Sequence, residues 1–169
     1  LGYADLLDDE EFAGDATHRH ETVETIRRNG EHLLQVINDL LDLSKIEAGR
    51  MSVESIAASP AQIIRDVIAI LHVKAWEKCL TLNSEIDPDL PEAISTDPTR
   101  LRQILLNLVS NAIKFTERGT VMIRAVSLPA SMIRFDVSDT GIGMTADQIE
   151  RLFRPFAQAE ASTNRRYGG

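Results

Sequence analysis

The sequence predicts an α+β protein: a helical hairpin in front, then helices laid on one face of a mixed sheet. Three observations predict it. Apolar residues Val23, Ile26, Leu33, Ile37 and Leu40 recur at three- and four-residue spacing through one long stretch. After residue 50, strand-like and helix-like runs alternate without a regular β-α-β repeat, the pattern of segregated helices on a mixed sheet. Within that second part, the run from Asp97 to Phe115 pairs an apolar stripe with an unusual polar one.

Leu1 to about Asp9 reads as the tail of a helix (Leu1, Ala4, Leu6, Leu7), closed by an acidic run and Gly14. The next helix begins near Asp15 and reaches about Glu47, roughly 50 Å at 1.5 Å per residue. Gly30 fills one place in its apolar series, while Leu34, Val36, Leu41 and Leu43 widen the surface. So long and apolar a helix calls for a partner, and the pattern points to a hairpin that pairs with a second chain as a four-helix bundle. The alternative is a long helix folded back on its own domain.

Gly49 supplies the stop. Met51 to Ile56 alternates as a strand, and Ser59-Pro60-Ala61-Gln62 is a capped helix start whose buried face is Ile64, Val67, Ile68, Leu71 and Ala75. Leu80 to Ile86 reads as a strand bounded by Asp87-Pro88, and Glu92 to Thr96 as a short strand or loop. Gly119 to Val126 and Met132 to Asp139 form a hairpin around Leu128-Pro129-Ala130. Thr145-Ala146-Asp147-Gln148 opens a short helix to about Phe153, and from Ala157 to Gly169 the chain becomes small and polar, a flap in expectation.

Composition sets bounds. The 169 residues suffice for one domain and a helical appendage, and 18 basic against 26 acidic residues, a net of −8, argue against a nucleic-acid surface. The single Cys79 forms no internal disulfide; its neighbours Trp76, Leu80 and Leu82 suggest a packed thiol in a reducing compartment. No run approaches the roughly 20 apolar residues of a membrane span, and the first residues lack the features of a signal peptide. The expectation is a cytoplasmic piece without membrane contact of its own, any anchor lying upstream.

The chemistry concentrates in two places. Asp97 followed by Pro98 starts a helix whose apolar stripe is Leu101, Ile104, Leu105, Leu108, Ala112 and Phe115. Beside it runs a ridge of Gln103, Asn107, Ser110, Asn111 and Lys114. Asn is a poor helix former, and a solvated face would carry Glu, Lys and Arg instead. Asn107 and Asn111 lie one turn apart, about 6 Å along the axis, so both amides can reach one ligand or one hydrated cation. Alternatively, they are polar residues bonded to nearby backbone. Downstream, alternation puts Ile133, Phe135, Val137 and Asp139 on one strand face, so a carboxylate ends an apolar row and must find a donor. Gly141 and Gly143 then remove side chains where a ligand can approach the backbone.

Together these stretches resemble the catalytic, ATP-binding domain of sensor histidine kinases, within the superfamily shared with type II topoisomerases and mismatch-repair ATPases. N-L-V-S-N-A-I-K-F at 107–115 is similar to the N box, D-T-G-I-G-M at 139–144 to the G1 box, and L-F-R-P-F-A-Q-A at 152–159 to the F box. L-L-Q-V-I-N-D-L-L-D-L-S-K-I-E-A-G-R at 33–50 resembles the end of the dimerisation helix and its linker. The linker and the lid sequence F-A-Q-A-E-A-S-T look like those of hybrid kinases.

The resemblance implies two domains: a dimerisation hairpin over 1–50 and a catalytic domain over 51–169 of the Bergerat type, lacking its C-terminal part because the chain stops before a second glycine box. Its cofactors are ATP and Mg²⁺. Asp139 is implied to accept the adenine amino group, and Gly141, Ile142 and Gly143 to form the backbone that closes over base and ribose. Asn111 and, in support, Asn107 are implied for the metal, and Lys114 for the phosphates. Phe153 and Phe156 are implied to anchor the lid, with Arg165 or Arg166 reaching the γ-phosphate. The superfamily's ATPases carry a water-activating Glu on this helix where Asn107 stands, which favours transfer to histidine over hydrolysis.

The phosphoacceptor histidine of the family is expected upstream of Leu1, since a segment similar to G-Y-A-D-L-L usually follows it; His18, His20 and His32 read as structural or solvated. The implied function is ATP-dependent histidine autophosphorylation in a two-component system, by a homodimer serving a response regulator or receiver domain, with the fragment alone inactive. The alternative is a dimerising nucleotide-binding scaffold or pseudokinase.

Overall fold

The computed structural model describes residues 16–151, with residues 16–18, 32, 35, 39 and 151 by backbone alone. The helix tail expected over 1–9, the end of the short helix at Phe153 and the stretch 157–169 lie outside them. The chain divides into two compact units, Leu1–Ser52 and Val53–Gly169.

The first unit holds helix α1, Ala16–Glu47, close to the bounds read from its periodicity. It ends as Gly49 predicts: Gly49 takes φ 63°, its N–H donates to Ile46 O at 3.0 Å, and Arg50 N donates to Lys45 O at 2.9 Å, closing carbonyls that the helix leaves open. Arg27 bridges Glu24 and Glu31, each at 2.7 Å, on the polar side. The apolar series is exposed, with Leu33, Leu34 and Leu40 each more than half accessible.

In the second unit, β1 (Ile56–Ala58) pairs antiparallel with β3 (Ile94–Thr96) as a separate ribbon. The main sheet is β2 (Thr81–Ile86), β4 (Thr120–Leu128) and β5 (Met132–Asp139), with β2 parallel and β5 antiparallel to the central β4. Helices α2 (Pro60–Glu77) and α3 (Pro98–Phe115) pack on each other and on this sheet, and a short α4 (Ala146–Arg151) follows. The mixed sheet with helices is the architecture expected.

Register explains the core. Val121, Ile123 and Ala125 of β4 are fully buried and lie beside Leu82, Ser84 and Ile86 of β2. Across β5 their partners are Asp139, Val137 and Phe135. Arg124 points the other way, 3.5 Å from its cross-strand partner Glu85, an exposed pair of little energetic weight. Ile63, Ile64, Val67, Leu71 and Ala75 of α2 meet Leu105, Val109, Ala112 and Ile113 of α3 to complete the cluster. Each fully buried aliphatic side chain contributes about 1.5–3 kcal/mol. Asp66 on α2 also bonds Arg102 on α3 at 2.9 Å, and the Gln62 amide together with that guanidinium holds the Asp66 carboxyl below its usual range.

Three expectations change. The first strand is not Met51–Ile56 but Ile56–Ala58, because the short β3 offers ladder partners only to those residues. The buried face of α3 is rotated relative to the predicted stripe: Val109 and Ile113 are buried, whereas Ile104 and Leu108 are 55% and 47% exposed. Only one side of α3 faces α2 and the sheet, so the apolar residues flanking the Asn ridge stay accessible. Finally, Cys79 and Trp76 are exposed rather than packed. α2 ends there, with Cys79 N donating to Trp76 O at 2.8 Å and Leu80 N to Ala75 O at 2.9 Å, and this turn carries Cys79 to φ 55°.

Asp97 fixes the start of α3. Its Oδ1 accepts from Thr99 N and Arg100 N, each at 3.0 Å, and its Oδ2 accepts from Glu54 N at 3.2 Å, tying the entry segment to the helix. The Arg100 backbone N–H is the largest influence holding its carboxyl below the ordinary value, against the opposing effect of desolvation.

A left-handed residue with a side chain costs about 1–2 kcal/mol. Cys79→Gly is therefore expected to stabilise the unit by about 1 kcal/mol and to raise its thermal midpoint by about 2–4 °C; a lowered midpoint in a thermal melt would mean that the turn carries no such strain. Because the Asp97 carboxyl is depressed on folding, its contribution is present above the unfolded value of about 3.9 and is lost as pH falls through the folded one. Urea unfolding across acid pH should show a shallower loss in Asp97→Asn than in the parent, and parallel curves would contradict the linkage.

Candidate functional site

The polar ridge of α3 survives in three dimensions. Asn107 and Asn111 are exposed one turn apart, and among the described residues neither amide takes a protein partner. Gln103 differs, since its Oε1 accepts from Arg100 at 2.9 Å. Lys114 is half-buried, its Nζ lying 5.5 Å from the Phe115 ring centre in a cation–π contact.

The loop after β5 is docked on the end of this helix. Asp139 pairs with Val121 on the face that also carries Phe135 and Val137, as alternation required, and its Oδ1 finds its donor two residues on, accepting from Gly141 N at 2.8 Å. Its side chain is exposed and, among the described residues, Oδ2 is not engaged. Ile142 N donates to the carbonyl of Phe115 at 3.3 Å, joining the loop to the last residue of α3. A Cβ on Gly141 would lie 2.5 Å from Phe115 O and 2.8 Å from Asp139 Oδ1, so this close approach admits only glycine. Gly143 serves differently: the space about it is open, and its φ of 66° is what calls for glycine.

Thr140, between the carboxylate and the glycine, anchors the other side of the loop. Its hydroxyl accepts from Thr120 N at 3.0 Å and donates to Arg118 O at 3.3 Å, and its own N–H reaches Thr120 O at 3.2 Å. A Cβ on Gly119 would collide with that hydroxyl. Sequence reasoning passed over Thr140 although it sits inside the D-T-G motif. It also missed the Phe115 carbonyl, because a backbone acceptor leaves no mark in the sequence. Ile142 and Met144, in the loop that follows Asp139, stay exposed.

The structure thus brings Asp139, Gly141 and Ile142 onto the end of the helix that carries Asn107, Asn111 and Lys114. Phe153, Phe156, Arg165 and Arg166 lie outside the described residues. Among the described residues no group of three or more His, Cys, Asp or Glu could hold a metal ion, and no helix is long and apolar enough to cross a membrane.

Residues 96–169 match the family of histidine kinase-, DNA gyrase B- and HSP90-like ATPases, and residues 1–49 match the His Kinase A (phospho-acceptor) domain. The whole chain is 40% identical over 173 residues to the sensor protein GacS of Pseudomonas syringae pv. syringae. The chain belongs to the histidine kinase family. The kinase chain is also 42% identical over 155 residues, 89% of its length, to the signal transduction histidine-protein kinase BarA of Escherichia coli K12. It spans 19% of that GacS and 17% of that BarA.

Among solved structures, full-length ShkA in complex with AMPPNP shares 31% identity at a TM-score of 0.76, over 94% of the kinase chain and 33% of ShkA. Histidine kinase ThkA in complex with the response regulator protein TrrA shares the fold at a TM-score of 0.66 and 22% identity, over 85% of the kinase chain and 42% of ThkA.

Gly141→Ala in the kinase chain is expected to force the loop off α3, lowering stability in urea unfolding by about 1–3 kcal/mol. A loss within about 0.5 kcal/mol would mean that the loop yields without cost.

Proposed function

We propose that this chain supplies the nucleotide-binding and dimerising parts of an ATP:protein-histidine phosphotransferase. The observation that carries this reading is the loop of Asp139, Gly141 and Ile142, which is anchored on α3 while, among the described residues, one carboxylate oxygen stays unengaged and Ile142 and Met144 of the same loop stay exposed. That combination suits a flat heterocycle with an exocyclic amino group: Asp139 Oδ2 accepts its N–H, while Ile142 and Met144 offer apolar contact. Gly141, Ile142 and Gly143 form the backbone over base and ribose.

The helix ridge suits the other end of a nucleotide. Two exposed, unengaged amides one turn apart fit Mg²⁺, which takes few protein oxygens and fills its remaining positions with water and phosphate. Asn111 would hold the ion, Asn107 would support it or its waters, and Lys114 would face the phosphates. The ion supplies charge neutralisation on the phosphates when bound. Phosphoryl transfer needs alignment and charge stabilisation more than covalent help from protein. Asn107 cannot accept a proton as a carboxylate base would, so this ridge orients the phosphates without activating water. In this reading Phe153 and Phe156 anchor a lid and Arg165 or Arg166 approaches the γ-phosphate.

The phosphoryl acceptor is a histidine outside this chain, and the group passes onward to a response regulator or receiver domain. The exposed apolar face of α1 supports pairing with a second copy, because such a surface on a helix this long is costly to leave in water.

Calorimetric titration of the chain with AMPPNP and Mg²⁺ tests the proposal. Binding is expected, weakened on chelating the metal and weakened about tenfold or more in Asp139→Asn, the loss of a hydrogen bond to a charged acceptor. Parent-like affinity in that variant would remove Asp139 from the site, and absence of binding in the parent would leave a dimerising scaffold.

A further inference from the structure

The geometry points to Lys78 as a positioning residue that holds the end of α3, and through it the Asp139 loop, in the arrangement nucleotide binding needs. This rests on the nucleotide reading given above. The last turn of a helix leaves carbonyls without intrahelical donors, and each must be satisfied from elsewhere. In α3 all of them are accounted for. Ala112 O accepts from the Thr116 hydroxyl at 2.7 Å, and Phe115 O from Ile142 N at 3.3 Å. Lys78 Nζ takes the remainder, donating to Ile113 O and Lys114 O, each at 2.8 Å, and to Thr116 O at 3.4 Å.

One ammonium group therefore occupies the negative end of the helix that bears Asn107, Asn111 and Lys114, where the dipole and its own donors both favour a cation. The same turn presents the Phe115 carbonyl to the loop. Lys78 reaches it because α2 ends in a left-handed turn: Lys78 N bonds Ala75 O at 3.1 Å, and Cys79 at φ 55° reverses the chain. Without Lys78, the carbonyls of Ile113 and Lys114 lose their donor, the turn loosens, and Phe115 O no longer holds Ile142 at one height. Lys78 touches no ligand in this arrangement. Its effect passes through Phe115 and Ile142.

The test compares Lys78→Met, Lys78→Arg and, as a control at an exposed lysine one turn earlier in α2, Lys74→Met in the 169-residue chain. Amide hydrogen exchange is read at Ile142 and at the central-strand residue Ile123, and AMPPNP with Mg²⁺ is titrated into each variant. In Lys78→Met, Ile142 is expected to exchange about tenfold faster while Ile123 keeps its protection, and affinity is expected to fall about three- to tenfold. Lys78→Arg should restore both in part, and Lys74→Met should alter neither. Unchanged protection at Ile142, equal loss at Ile142 and Ile123, or parent-like affinity despite a loosened Ile142 would each overturn the assignment. Should the parent take up no nucleotide, the nucleotide reading falls, and exchange at Ile142 still decides whether Lys78 holds the loop.

Discussion

A helix cannot satisfy its own last carbonyls, and the second unit is arranged around how α3 solves that problem. One carbonyl is closed by a threonine hydroxyl, others by a lysine from the neighbouring helix, and one by the backbone of the loop that follows β5. The last of these ties a capping requirement to the candidate site. Because Ile142 must approach Phe115 closely, Gly141 must lack a side chain, and because Gly141 turns there, its N–H orients the Asp139 carboxylate. Packing, capping and carboxylate orientation are one constraint seen from three sides.

The two faces of α3 divide the labour. Leu105, Val109, Ala112 and Ile113 bind it to α2 and to the sheet, so its position along the core is set by aliphatic packing. The opposite ridge is released from that duty and can carry amides that weaken an isolated helix. Asp97 at the start and Lys78 near the end stabilise both termini with charges of the sign each terminus favours. A helix made partly of poor formers is thereby held as a rigid platform.

Much of this was legible in the sequence where local rules decide. The Asp97-Pro98 and Ser59-Pro60 starts, the glycine stop at Gly49 and the reciprocal Thr145–Gln148 cap all form as their residue types require. That Asp139 shares a strand face with Phe135 and Val137 followed from alternation alone. What failed depended on tertiary partners. The burial of Val109 and Ile113 over Ile104 and Leu108 is settled by where α2 and the sheet lie, which helical periodicity cannot distinguish within a broad apolar arc. The first strand shifted because β3 is short, and the Phe115 carbonyl was invisible because side-chain identity says nothing about a backbone acceptor.

The β4–β5 hairpin has one more consequence. Its site end is fastened by Thr140 to the start of β4, while its other end is an exposed turn at 129–131 in which Ala130 and Ser131 take φ of 63° and 58°. Strands of this length separate the two ends by roughly 25 Å. That remote tip is a permissive place to graft a tag or a longer connection, since added chain there extends into solvent and leaves the anchored end of the hairpin undisturbed.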